Sequence, residues 1–189
     1  MRNQYFDASF AQTTLNTAGY PGMGNRRFLS GLPRKPPMIP ALLALVIAAL
    51  FTGAALYILV AEQPARLLIP EPALLVQWRR AYHGGTAMQG SLAVLGFLCA
   101  ALAWWLTGRT GFLAGGLVLV ANWPYTLIVI MPVNRRLEAL EPSALESSAA
   151  GQPVRALVER WGRLHAGRIG LGGLALLILF WTLASLTVA

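Results

Sequence analysis

The sequence predicts an all-α integral membrane protein, a four-helix bundle made of two helical hairpins. Hydrophobic residues make up 56% of the chain and charged residues only 12%, which is unusual for a soluble domain. Four apolar stretches without an internal acidic or basic residue are each long enough to cross a bilayer core of about 30 Å as a helix. The predicted spans of this domain, 38–189, are about 39–61, 87–107, 111–132 and 169–188.

The segments outside the spans have different characters. Residues 1–37 lack helical periodicity and end in a proline-rich stretch, so we expect a flexible arm or a loop over the bundle. In the first long connection, a short helix is expected from about Pro72 to Tyr82. The second connection ends in "VRALVERWGRLH", whose apolar spacing predicts an amphipathic helix that runs into the last span.

The net charge of +8 is best explained by membrane topology. Basic residues near membrane segments set orientation and attract anionic lipid, and we expect no nucleic-acid partner because exposed aromatic residues do not alternate with them. The Lys/Arg count favours a cytoplasmic location for the face with the two long connections. The single cysteine, Cys99, excludes an internal disulfide.

Four spans place both long connections on the same side of the membrane. The unusual polar residues lie at the span ends on that side, and we expect them within about 12 Å of one another, roughly the diameter of one helix with its side chains. The sequence therefore predicts a site at one mouth of the bundle, built from Glu62, His83, Asn134 and His165.

An internal repeat supports two equivalent hairpins. The repeat is found in two stretches, "QWRRAYHGGTAMQGSLAVL" (77–95) and "RWGRLHAGRIGLGGLALL" (160–177). In each stretch a Trp precedes a His, and glycines follow the His at two and seven residues. One extra residue separates Trp78 from His83. Two parallel units of this kind would be related by a pseudo-twofold axis along the membrane normal.

The last predicted helix carries three unusual side chains on one stripe. Trp161, His165 and Arg168 follow the i, i+4, i+7 spacing of a single helix face. Interfacial anchoring explains Trp161 and Arg168 separately, because Trp belongs to the aromatic belt and Arg can extend to headgroups. Histidine is a poor anchor, so the two histidines of the chain favour a functional interpretation.

The third span contains "VANWPYTLIVIMPVN", in which Pro124 removes a backbone hydrogen bond near mid-membrane. One interpretation is a kinked helix whose polar groups are satisfied by neighbours. The other is a pocket lined by Trp123, Tyr125 and Gln89.

Three stretches resemble the anthrone oxygenase family of small four-span membrane proteins: "LLVQWRRAYHGGTAMQGSLAVL", "WPYTLIVIMPVNRRLEAL" and "VRALVERWGRLHAGRIGLGGLALL". The resemblance covers roughly residues 40–189, and its most specific parts are Pro-x-Asn at 132–134 and Trp-x-x-x-His-x-x-Arg at 161–168. It implies oxidation of an anthrone, or a related aromatic polyketide or phenol, to a quinone by O₂ without a cofactor.

The residues suit this chemistry. An anthrone has an acidic methylene that a neutral histidine can deprotonate, and the resulting anion needs hydrogen-bond donors and an apolar slot. We expect His165 or His83 as the base, with Glu62 orienting a histidine, Arg168 and Asn134 as donors, and a slot formed by Trp78, Tyr82 and Trp161. Because His165 has both an aromatic wall and a cation nearby, His165→Ala is predicted to lower turnover at least 10²-fold and His83→Ala to lower it less.

Two other classes remain open. The two histidines and Glu62 could bind copper, iron or zinc, with a coordination position left for oxygen. Alternatively, a noncatalytic bundle could bind a quinone, a lipid, a partner subunit or a second copy, with residues 1–37 as the contact. The chain has no nucleophilic triad, phosphate loop or dinucleotide fingerprint, which excludes hydrolases, kinases and nicotinamide enzymes.

Overall fold

The computed structural model describes residues 38–142 and 154–188, and the regular structure of these residues is entirely helical. The prediction of an all-α four-helix protein is confirmed, and each helix is long and apolar enough to cross a membrane. The predicted arm, 1–37, lies outside the described residues. The four helices are α1 (Met38–Arg66), α2 (Glu71–Thr107), α3 (Thr110–Ala139) and α4 (Val154–Val188).

The helices form a ring in which α1 and α3 each pack on both α2 and α4. Small residues fill much of the core at the end near the α2–α3 turn and allow close backbone approach, whereas many large apolar side chains face outward. At the opposite end, where α1 is joined to α2, the core contains larger side chains such as Trp78 and Trp161. This larger-residue end contains the polar residues predicted to form a site.

Helix α2 is continuous over 37 residues. The short helix expected from Pro72 to Tyr82 is therefore the first part of α2, and the Gly84–Gly85 pair does not interrupt it. Pro72 is tolerated because the first helical turn needs no backbone donor there. The helix ends at Gly108, whose φ of 71° gives the left-handed cap that permits the short turn into α3.

Helices α1 and α3 each contain a five-residue π turn directly before an X-Pro pair. Ile58–Glu62 precedes Gln63-Pro64, and Thr126–Ile130 precedes Met131-Pro132. In each case the residue before the proline donates its N–H to the carbonyl five residues earlier. This shared irregularity in α1 and α3 adds to the Trp/His/Gly repeat in α2 and α4, and together they support two duplicated hairpins.

Candidate functional site

A small cavity lies at the end of the bundle where α1 is joined to α2. Its volume is about 30 Å³, enough for a molecule the size of water. All four helices contribute side chains to it, and both π turns border it. The polar or aromatic residues that line it are Glu62, Arg66, Tyr82, Thr86, Gln89, Thr126, Asn134, Trp161, His165 and Arg168.

His165 is buried against Trp161, with ring centroids 4.8 Å apart. Its Nε2 lies 3.2 Å from the carbonyl oxygen of Ala55 in α1. Because a carbonyl can only accept, Nε2 must carry the proton of the neutral ring, which leaves the lone pair on Nδ1. Nδ1 is buried and has no hydrogen-bond partner among the described residues, so its lone pair is not engaged by any of them.

Arg168 lies about one turn beyond His165 on the same helix face. Its guanidinium carbon is 5.4 Å from the centre of the Phe51 ring, within the range of a cation–π contact. In the described part of the chain, no carboxylate forms an ion pair with Arg168, and its Nε has no hydrogen-bond partner. The cation is therefore not neutralised by an acidic side chain.

Asn134 and Gln89 add buried polar atoms without partners. Asn134 is fully buried, and neither atom of its amide group is hydrogen-bonded; Gln89 is 1% exposed and its Nε2 has no partner. Buried polar groups in native proteins are nearly always satisfied by protein or water. Several unsatisfied groups around one cavity indicate a place for a polar ligand or ordered water.

We expected Glu62 to orient a histidine, but its partners in the structure are Arg66 and Gln77. Its carboxylate forms an ion pair with Arg66 of the same helix and accepts a hydrogen bond from Gln77 Nε2 at 3.0 Å. The proton-bearing nitrogen of His165 is held by Ala55 instead. Glu62 borders the cavity, where it neutralises Arg66.

His83 is at the same end of the bundle, near Glu138 of α3, but it does not line the cavity, so His165 is the histidine found there. The side chain of His83 is 70% exposed and its Nε2 is 3.6 Å from Glu138 Oε1. The extra residue after Trp78 explains this position. His83 is five residues after Trp78, which corresponds to about 500° around the helix, or one full turn plus 140°. The two side chains therefore point in different directions. Tyr82, four residues after Trp78, occupies the place that corresponds to His165.

The expected slot between Trp78, Tyr82 and Trp161 is closed. The rings of Trp78 and Tyr82 stack directly, with centroids 5.0 Å apart and planes 4° apart, and Trp161 meets Trp78 edge-on at 6.1 Å. A ring inserted between two others would need roughly twice the spacing of a direct stack. These aromatic residues form a packed wall behind His165.

A much larger groove, of about 670 Å³, adjoins the small cavity. It lies between α2 and α3, which pack closely along Thr110–Val120 but have few contacts beyond Asn122. Thr86, Gln89, Thr126 and Arg168 line both spaces. The two spaces are therefore neighbours that share polar walls.

The predicted pocket of the third span corresponds only partly to this groove. Gln89 and Trp123 line it, and Trp123 Nε1 donates to the Gly90 carbonyl at 3.2 Å. Tyr125 does not line it, because its hydroxyl donates to the Leu164 carbonyl of α4 at 2.7 Å. Sequence reasoning missed Thr86 and Thr126, although hydroxyl groups beside apolar residues were a visible signal.

The histidines do not form the metal site considered from the sequence. Within 38–142 and 154–188, no three His, Cys, Asp or Glu side chains come together as metal ligands. His83 and Glu62 have the separate partners described above.

Comparisons with known proteins identify relatives. The family model described as Anthrone oxygenase matches residues 78–178. An anthrone oxygenase of Claviceps purpurea (strain 20.1) is 36% identical over 107 residues, which are 52% of this chain and 61% of that protein. The match thus spans less than two thirds of the relative's length. No solved structure matches the chain significantly.

Proposed function

Since the chain belongs to the anthrone oxygenase family, we propose that it is a four-span integral membrane enzyme that oxidises an anthrone or a related phenolic aromatic with O₂. The observation that carries this proposal is the arrangement of His165, whose Nδ1 is a buried, unpartnered base while Nε2 is held by a backbone carbonyl. The proposed reaction needs only groups that line the small cavity and the adjoining groove.

The first step is proton removal from the methylene carbon of the substrate by His165 Nδ1. The electron pair of the broken C–H bond delocalises onto the ring carbonyl, which becomes phenolate-like. Arg168 supplies positive charge for this oxygen, and the Asn134 amide supplies a hydrogen-bond donor. Such donors stabilise the charge that develops in the transition state.

The carbanion then reduces O₂ by one electron, and the resulting radical pair combines to form a C–O bond. The peroxide takes the proton from His165, so the histidine returns to its neutral form. Neutral His165 then removes the second methylene proton, the C–H electron pair forms the carbonyl as the O–O bond breaks, and the departing hydroxide takes the proton from His165 to give water. In balance, an anthrone and O₂ give an anthraquinone and water, and the protein supplies no electrons.

The test compares three variants in oxygen uptake with an anthrone. His165→Ala removes the base, and His165→Gln removes it while retaining an amide that can donate to the Ala55 carbonyl. Both should lose at least 10²-fold in turnover, as is typical when a general base is lost. His83→Ala serves as the matched control and should retain activity, because that side chain lies outside the cavity.

Unchanged turnover in both His165 variants would overturn His165 as the base. A purified full-length chain that turns over no anthrone or related phenol under oxygen would favour the noncatalytic, quinone-binding alternative.

A further inference from the structure

The small cavity cannot hold the whole substrate. A space of about 30 Å³ accepts one water-sized molecule, which is also the size class of O₂. The adjoining groove, of about 670 Å³, lies within the range of about 300–1,000 Å³ that is usual for ligand pockets. Because the two spaces share walls, a ring system in the groove can place its edge beside the small cavity.

The outer rim of the groove is apolar and exposed on the side of the bundle. Leu95, Trp123 and Leu127 line it and are 51%, 47% and 54% exposed. They lie on helices that are long and apolar enough to cross a membrane, so in a bilayer spanned by these helices the opening would face the hydrocarbon region. An apolar, flat molecule dissolved in the bilayer could reach the groove without passing through water.

The inner wall of the groove includes Asn122, whose buried side chain has an unpartnered hydrogen-bond acceptor. Asn122 is 2% exposed, and its Nδ2 donates to the Leu119 carbonyl at 3.0 Å. This bond determines the orientation of the amide and makes Oδ1 the end without a partner. An amide oxygen accepts hydrogen bonds only, so the ligand group that would satisfy it is a hydroxyl or another donor.

We propose that the flat substrate enters from the bilayer between α2 and α3, and that Asn122 Oδ1 selects ligands with a phenolic hydroxyl free to donate. Asn122 is thus a specificity-determining residue. This proposal rests on the proposed function in one respect, namely that the ligand is a flat aromatic ring system. It concerns binding, so it can be tested without turnover.

The first experiment measures binding of quinone probes to the full chain in detergent, by quenching of tryptophan fluorescence. One probe is an anthraquinone with a hydroxyl remote from both carbonyls, which is free to donate. The matched probe has its hydroxyl next to a carbonyl, where an internal hydrogen bond occupies the donor. The free-hydroxyl probe should bind the parent protein about three- to tenfold more tightly, as expected for one neutral hydrogen bond.

In Asn122→Leu, this preference should disappear because the acceptor is gone. Retained binding of the internally bonded probe shows that the variant is folded, so the ratio of the two affinities reports the lost acceptor. A preference that persists in Asn122→Leu would overturn the role of Asn122.

The second experiment tests the opening between α2 and α3. Leu95→Trp adds bulk at the rim, and Leu98→Trp makes the same change at a position of similar exposure (54%) on the same helix that does not line the groove. Leu95→Trp should weaken binding of both probes at least tenfold, whereas Leu98→Trp should not. Equal affinities of the two variants would place the binding site elsewhere.

These outcomes are distinguishable from failure of the proposed function. If His165→Gln retains turnover but the probe preferences follow the prediction, the proposal of binding in the groove is supported and the proposal of His165 as the base is disproved. If His165→Gln loses turnover while neither Asn122→Leu nor Leu95→Trp changes binding, the proposal of His165 as the base is supported and the proposal of binding in the groove is disproved.

Discussion

In the proposed reaction, Arg168 is the cation that stabilises the negative charge developing in the substrate. Arg168 is seven residues after Trp161 in α4. The residue at the same distance from Trp78 in α2 is Gly85, which also borders the cavity. The two hairpins therefore contribute different groups: α4 provides the imidazole and guanidinium, and α2 provides a phenol ring and space. The cavity is thus asymmetric in its chemistry, although the two hairpins share a sequence pattern.

We predict that Arg168→Met lowers kcat for anthrone oxidation by about 10²- to 10³-fold, the usual effect of removing an electrostatic contact made in the transition state. Methionine retains an apolar stem to pack near Phe51, so the loss should come from the missing charge. Affinity for the unreactive quinone probe should fall much less than kcat, because a neutral carbonyl gains less from the cation than a phenolate-like oxygen does. Stopped-flow oxygen uptake and probe titration on the same sample measure the two effects.

Arg163→Met is the control for Arg168→Met. Arg163 lies on the same helix but is exposed and lines neither the cavity nor the groove. If both variants lose activity equally, the effect comes from reduced positive charge on α4 in general and the role of Arg168 is disproved.

Helical phase explains which site residues could be predicted from the sequence. The spacing of Trp161, His165 and Arg168 placed them correctly on one face, since four and seven residues are close to whole turns. The two repeats were matched by residue type, which paired His83 with His165. Matched by distance from the Trp, the residue that corresponds to His165 is Tyr82, which stacks on Trp78, whereas His83 is exposed. A count of 100° per residue on the first repeat would have revealed this difference.

The π turns could not be predicted in the same way. Pro64 and Pro132 are visible in the sequence, but a proline can kink a helix, begin one or be absorbed by a widened turn. The choice depends on side chains from other helices that pack around it. The groove was predicted only in part, through Gln89 and Trp123, because its extent depends on the separation of α3 from α2 beyond Asn122.

Helix α4 is held against α1 by a close contact at Gly162. A Cβ at this position would lie 2.7 Å from Gln63 Nε2, and that nitrogen donates to the Val158 carbonyl at 2.8 Å. We predict that Gly162→Ala lowers the free energy of unfolding by about 1–3 kcal/mol, typical of overpacking. Thermal unfolding in detergent measures the change.

Gln63→Ala removes the obstructing side chain and supplies the control for Gly162→Ala. The double variant should be less destabilised than the sum of the two single variants, because the added methyl then has room. Additive losses would show that the glycine is needed for a reason other than this contact. Gly173→Ala, where a Cβ meets nothing within 4 Å, should be close to neutral.

Hydropathy alone is sufficient to predict four helices, because a span needs a continuous apolar length and this chain has four. Span counting also places Glu62, Asn134 and His165 around one cavity. It cannot say which side chains pair with one another, as the Glu62–Arg66 contact illustrates. Those choices depend on distances across the assembled bundle.

Two arginines link the hairpins at the end that contains the cavity. Arg79 of α2 donates through Nη2 to carbonyls at the end of α3, including Glu138 at 2.7 Å. Arg155 of α4 donates through Nη1 to the Leu67 carbonyl and through Nη2 to the Ile69 carbonyl at 3.0 Å, just after α1. Each hairpin thus holds a helix end of the other.

The two arginines differ in how they donate, and this predicts different responses to lysine. Arg155 uses both arms of its guanidinium fork, which one ammonium group cannot reproduce, whereas Arg79 uses a single nitrogen. Arg155→Lys should lower the free energy of unfolding by about 1–3 kcal/mol, the range for hydrogen bonds from charged donors, and Arg79→Lys by less. Arg160→Lys, an exposed change on the same helix as Arg155, should be neutral in the same thermal unfolding assay. Equal stability of Arg155→Lys and the parent protein would show that the hairpins do not depend on the forked contact.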